Sequence, residues 1–303
     1  MPRYLLLALL SLSLLAGGLT AAHAASYDFT PIDVPFAGAY NSSALGINNH
    51  HQIVGVFRDT TGTHGFLDDN GVFTPMDVPG SEHTEAHGIN DRGHLVGLYV
   101  DTTGNHGFLY HEGVFLPIDV PQASYTEAWG INNRGEIVGA YVEGGVLHGF
   151  LYDGQAFLSV DVPGASQTVV AGINHRGQLV GDCDDETGGH GFFYDGRTFT
   201  SIPESSEARG INDRSQIVGV SQDNTQGFVA HGRVLTMIDV PGATYTTAYG
   251  INNRGQIVGA YTESTGHGFL ATPTQKLLGD LQADLEGFLG PAEPWLNRPA
   301  RRL

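Results

Sequence analysis

Six times the chain returns to the tripeptide Gly-Ile-Asn, beginning at Gly46, Gly88, Gly130, Gly172, Gly210 and Gly250, in steps of 42, 42, 42, 38 and 40 residues. A period of this length confines a chain to propellers and solenoids, because one such unit cannot bury its apolar face alone. After each tripeptide comes a turn such as Asn133-Arg134-Gly135, then an apolar run such as Ile137–Tyr141. Next stands His-Gly-Phe, from His64, His106, His148, His190 and His267, with Gln226-Gly227-Phe228 in the fifth copy. A segment ending in Asp-Val-Pro closes the unit, as at Ile118–Pro121 and Ile238–Pro241. Short runs of Ile, Val, Phe and Tyr between Gly, Asn, Asp and Pro read as strands. Each unit therefore reads as four of them, termed a (Gly-Ile-Asn), b (Ile-Val-Gly), c (His-Gly-Phe) and d (up to Asp-Val-Pro).

The phase of the repeat separates a ring from a rod. The first strand-like segment, Tyr27–Val34, is a lone d, and the last repeat stops after its c, Gly268–Ala271. One d at the start and a, b and c at the end make one complete unit, as a closed propeller requires, and no capping units announce a solenoid. The sequence predicts an all-β fold, a six-bladed β-propeller of about 42-residue four-stranded repeats over Ala25–Pro273, closed by the N-terminal outer strand. A short C-terminal amphipathic helix and flexible tail are expected in Thr274–Leu303, where Leu277, Leu281, Leu285 and Phe288 or Leu289 recur at helical spacing before Gly290-Pro291.

Gly250–Gly259 (Gly-Ile-Asn-Asn-Arg-Gly-Gln-Ile-Val-Gly) and His267-Gly268-Phe269 resemble the unit of the HAF family of bacterial extracellular repeat proteins. The resemblance extends over all six copies, with Gly where the family's name has Ala. It implies an exported repeat protein and supplies no catalytic residue.

Met1–Ala24 reads as an export signal: Arg3, an apolar Leu5–Leu15 stretch too short to span a bilayer, then Ala22-His23-Ala24. The mature chain is expected outside the cytoplasm, extracellular or periplasmic, with no transmembrane segment and as a monomer. Lys+Arg 14 against Asp+Glu 32 gives a net charge of −18, which excludes nucleic acid and anionic membrane surfaces as partners. A single cysteine, Cys183, excludes a disulfide framework.

Residues repeated in every copy read as framework. Asn48, Asn90, Asn132, Asn174, Asn212 and Asn252 are expected to bond backbone at the adjacent turn. The His-Gly-Phe histidines are expected to bridge strands or loops, and Asp33, Asp77, Asp119, Asp161 and Asp239 to accept backbone N–H groups at the crossing between units. Cys183 stands where other copies have Phe57, Tyr99, Tyr141 and Tyr261, so it reads as a packing residue. The acidic Asp182, Asp184, Asp185 and Glu186 are the best candidates for a weak Ca2+ site, although no Asp-x-Asp-x-Asp-Gly loop is present.

Positions where the copies differ on a constant framework carry the functional information. Just before Gly-Ile-Asn stand Leu45, His87, Trp129, Ala171, Arg209 and Tyr249; two residues earlier stand Ser43, Glu85, Glu127, Val169, Glu207 and Thr247. With strand a innermost, both sets face the mouth of a central channel. Glu85, His87, Glu127, Trp129, Glu207, Arg209 and Tyr249 are the candidate ligand contacts, a mix of rings and carboxylates suited to a polar extracellular ligand (glycan, peptide or cell-surface component). Neither a Gly-x-Ser-x-Gly elbow nor a His-Glu-x-x-His helix is present, so no catalytic residue is assigned. The alternative is a hydrolase or lyase with Glu127 or Glu207 as general acid or base and Arg209 neutralising a substrate carboxylate.

Overall fold

The computed structural model describes residues 27–232 and 234–274, so the export signal and the helical tail expected after Pro273 lie outside the described residues. Among the described residues there are 24 strands and no helix; the fold is all-β. The third repeat shows the plan: a is Tyr125–Ile131, b Ile137–Glu143, c Val146–Tyr152 and d Phe157–Val160, paired antiparallel in that order. The a–b corner needs a left-handed residue, and Gly135 (φ +87°) supplies it without a Cβ clash. His51 (φ +64°) and Ser215 (φ +57°) hold the same corner in the first and fifth repeats at a cost of about 1 kcal/mol each.

Every a strand carries an irregularity at the same place, and those of the first and fifth repeats carry a second, at Tyr40/Ser43 and Ser205/Glu207. The register of a against b slips between Ala128 and Gly130, and likewise at Ala44/Gly46, Ala86/Gly88, Val170/Gly172, Ala208/Gly210 and Ala248/Gly250. The residue left over in each bulge is one of the divergent set: Leu45, His87, Trp129, Ala171, Arg209 or Tyr249. A bulge frees one residue from the ladder and re-aims its side chain. Opposite each bulge, strand b has glycine because the bulged backbone crowds it; a methyl group on Gly139 would overlap the Glu127 carbonyl oxygen and meet the Phe150 ring.

Three relays run from each repeat to the next and return from the sixth to the first. The strand-b valines pack into the following repeat's core: Val96 beside Phe150, Val138 beside Phe192, and Val258 beside Phe66 of the first repeat. The glycines of Gly-Ile-Asn abut, so a Cβ on Gly46 would lie 3.2 Å from Gly88 Cα, and one on Gly250 3.2 Å from Gly46 Cα. Asn48 Nδ2 donates to the Asn90 carbonyl (3.1 Å), Asn90 to Asn132 (3.0 Å), and so on until Asn252 donates to Asn48 (3.2 Å). Asn132 Oδ1 meanwhile accepts the N–H groups of Arg134 (2.9 Å) and Glu136 (3.1 Å), so the recurring amide is fully used by backbone and its i+4 neighbour. Between the two chain regions, Tyr27–Ile32 pairs antiparallel with Gly266–Pro273, Tyr27 opposite Pro273 and Ile32 opposite Gly268.

The Asp-Val-Pro aspartates differ from the sequence expectation. They do not serve the backbone N–H groups; Thr84, Thr126, Thr168 and Thr246 hydroxyls accept those of Val78, Val120, Val162 and Val240. The carboxylates instead meet the His-Gly-Phe imidazoles: Asp77 to His64 (3.0 Å), Asp119 to His106 (3.0 Å), Asp161 to His148 (3.2 Å) and Asp33 to His267 (2.8 Å). Each of these rings also lies 5.1–5.3 Å from Phe57, Tyr99, Tyr141 or Tyr261 of strand b. These histidines therefore join c to b and to the crossing. In the fourth repeat, where Ile202-Pro203 replaces the motif and Cys183 the aromatic, His190 rests on Thr187 (2.7 Å).

Candidate functional site

Three of the bulge residues, His87, Trp129 and Arg209, come together. His87 is buried, its Nε2 3.0 Å from Glu85 Oε2 and its Nδ1 3.2 Å from the Ala128 carbonyl oxygen. Its ring stacks on Trp129, centroids 4.4 Å apart and planes 16° from parallel. The Arg209 guanidinium reaches the same indole, 5.0 Å from its centroid, across the fourth repeat, where the bulge residue is only Ala171. Arg209 Nε also donates to Glu207 (2.9 Å), and Tyr125 Oη donates to Glu127.

Electrostatics follow from burial and these pairings. Burial pulls the Glu85 carboxyl upward, but hydrogen bonds from His83 (2.7 Å) and His87 outweigh it and hold Glu85 well below the usual carboxylate range. Burial opposes the charge on His87, yet Glu85 and Glu127 turn the balance and raise it. Burial, then Glu127, pushes the Tyr125 phenol up, and burial does the same for Tyr249. Arg209 is held charged by Glu207 and Asp182 against its own burial.

Beside the stack lies a cavity of about 420 Å³ between the third and fourth repeats. Its polar lining is Ser124, Tyr125, Glu127, Asp182 and Arg209, with Trp129, and its apolar wall includes Val142, Leu147 and Val169. Asp182 Oδ1 is buried there without a hydrogen-bond partner. Burial raises its carboxyl to about 6, with Arg209 pulling down and Glu207 and Asp184 pushing up.

Of the sequence candidates, Glu127, Trp129 and Arg209 line this cavity, whereas Glu85, His87, Glu207 and Tyr249 stand around it rather than in its wall. Glu85 and Glu207 are each taken up by the residue two further along their own strand, His87 and Arg209. The acidic run does not act as one cluster. Asp182 faces the cavity, while Asp185 ties down its own turn through the Thr187 N–H (2.7 Å) and hydroxyl (2.6 Å). Among the described residues, the side chains that bring three ligand atoms within 4.8 Å of one another are Glu85, His87 and Glu127.

Two titratable lining residues stand outside the ligand contacts expected from the sequence: Tyr125, and Asp182, which the sequence places in a weak Ca2+ site. Asp182 occupies the strand-b position held by Val56, Leu98, Ala140, Val220 and Ala260 in the other copies. A lone carboxylate at an otherwise apolar repeat position was the available signal. Tyr125 belongs to a third divergent set, one step further out on strand a, with Asn41, His83, Gln167, Ser205 and Tyr245.

No protein-family model matches the chain, and no curated protein matches it. Solved structures do. A sialidase of Trypanosoma rangeli superposes with a TM-score of 0.51 at 7% identity, over 83% of this chain and 57% of that one. Virginiamycin B lyase from Staphylococcus aureus gives 0.49 at 11% identity, over 81% and 99%. A gluconolactonase from Xanthomonas campestris gives 0.48 at 12%, over 83% and 97%. At these identities the likeness is one of fold, to β-propeller proteins. Among the described residues, no helix is long and apolar enough to cross a membrane.

Proposed function

We propose that the chain is an exported six-bladed β-propeller that acts as a non-catalytic binding module for a polar ligand, a glycan, peptide or surface component. Six repeats linked cyclically by valine, glycine and asparagine relays support the ring, as does the pairing of Tyr27–Ile32 with Gly266–Pro273. The observation that carries the binding reading is the cavity on the divergent side of the third and fourth repeats, where a buried carboxyl oxygen of Asp182 has no partner. A buried polar atom left unsatisfied costs about 1–3 kcal/mol, and a ligand hydroxyl or N–H removes that cost. Arg209 and Tyr125 add donors and acceptors, and Val142, Leu147 and Val169 an apolar wall.

One observation favours the enzymatic alternative: Asp182, with its carboxyl near 6 beside a fixed guanidinium, is suited to proton transfer close to neutrality. A glycan and peptide array probed with the mature chain and with Asp182→Asn separates the readings. The binding module retains its ligand unchanged in mass after prolonged incubation, and the substitution weakens capture at least tenfold. A cleaved product formed by the parent chain and not by Asp182→Asn would replace this reading with the enzymatic one. Silence across the array would remove the glycan and peptide forms of the proposal.

A further inference from the structure

The group Glu85, His87 and Glu127 touches the cavity through Glu127 alone and has chemistry of its own. His83, Glu85 and His87 occupy alternate positions of one strand a, and Glu127 holds the position of Glu85 on the next repeat's strand a. We propose that Glu85, His87 and Glu127 bind one divalent transition-metal ion of the zinc class. This goes beyond the binding reading and stands without it.

The imidazole is arranged as a ligand. The His87 side chain is 2% exposed, and its Nδ1 points at the Ala128 carbonyl oxygen at 3.2 Å. A carbonyl accepts only, so Nδ1, which also lies 3.7 Å from Glu127 Oε1, keeps its proton, and Nε2, hydrogen-bonded to Glu85 Oε2 at 3.0 Å, is the nitrogen that gives up its proton to take the ion. Metal-binding histidines are commonly oriented in this way, through the nitrogen that does not coordinate. The carboxylates are held from behind as well: His83 Nε2 lies 2.7 Å from Glu85 Oε1, and Tyr125 Oη donates to Glu127. One atom from each of the three residues lies within 4.8 Å of the other two, a spread that small side-chain rotations close onto a single ion.

The donor set decides the ion. One imidazole and two carboxylates carry a net charge of −2, which a divalent cation balances. Nitrogen among the ligands selects zinc or its neighbours over Ca2+ and Mg2+, which prefer all-oxygen shells. The competing arrangement is a proton on Nε2 shared with Glu85, and the two make opposite predictions for metal uptake.

Trp129, stacked on His87, is a built-in reporter. The chain has two tryptophans, so Trp295→Phe leaves Trp129 as the sole indole. The full chain in that background is stripped with chelator and dialysed against Zn2+, and bound metal is measured by elemental analysis; Co2+ quenching of the indole is recorded separately. One zinc per chain is expected, with Co2+ quenching that zinc reverses and Ca2+ does not. Glu85→Gln and His87→Gln should each weaken uptake at least tenfold. His64→Gln serves as control, because Gln226 fills that place in the fifth repeat; it should bind as the parent does. Absence of bound zinc in the parent, or uptake and quenching that Glu85→Gln leaves unchanged, overturns the proposal. Should His87→Gln fail to fold, Glu85→Gln decides alone.

Discussion

Replacing Asp182 with asparagine should stabilise the protein above neutrality and leave it unchanged in acid. The carboxyl rises from 3.8 to about 6 on folding, chiefly through burial, so the folded chain binds this proton more tightly than the unfolded one. Stability from this group is therefore fully present below pH 4 and is lost as the pH climbs through 6. A shift of about two units at about 1.36 kcal/mol each sets a ceiling of about 3 kcal/mol, and partial solvent access lowers that to about 1–3 kcal/mol. Asparagine is nearly isosteric and does not ionise. Urea unfolding of parent and Asp182→Asn at pH 4 and pH 8 should give a stability difference near zero at the lower pH and about 1–3 kcal/mol in favour of the variant at the higher. Because both proteins share every other titrating group, only the Asp182 contribution survives the subtraction. If asparagine were destabilising at pH 8, the attraction of Arg209 would outweigh burial, and the account of Asp182 as a strained, partnerless carboxylate would be wrong.

Asn252→Ala strips partners from the Asn48 carbonyl and from the N–H groups of Arg254 and Gln256, and should cost about 2–4 kcal/mol in urea unfolding. Gly139→Ala should prevent soluble folding, since the added methyl overlaps the Glu127 carbonyl oxygen, whereas Gly71→Ala meets no atom within 4 Å and should cost only the backbone strain of its φ of +93°, about 1–2 kcal/mol. Yield and melting temperature of the two variants check the contrast. Phe150→Ala, at a fully buried position, should cost about 3–5 kcal/mol by the same unfolding measurement. His148→Gln should retain most of the stability that His148→Ala loses, because Gln226 already bonds Asp239 (3.3 Å) where the other repeats use histidine.

The strand plan and the pairing of Tyr27–Ile32 with Gly266–Pro273 were legible because they depend on backbone chemistry that repeats. A left-handed corner wants glycine, a turn carbonyl wants an amide, and a repeat beginning in mid-unit needs its missing strand from the other end. The aspartate–histidine pairing was less legible. Asp77 and His64 are 13 residues apart, and spacing alone does not say whether a carboxylate serves a ring or a backbone N–H. The site was read in part. Trp129 and Arg209 announced themselves by differing from their counterparts, and Asp182 did so too. Its acidic neighbours Asp184 and Asp185 grouped it with a cation site, although Asp182 stands at a strand-b position that is apolar in the other copies.

The bulged position has an evolutionary corollary. A side chain there has no cross-strand partner to satisfy, so exchanging tryptophan for arginine, alanine or leucine leaves every rung beside it in register. Six repeats supply six such sockets on one constant frame. Side chains at these sites can change while the ladder around them keeps its pairing.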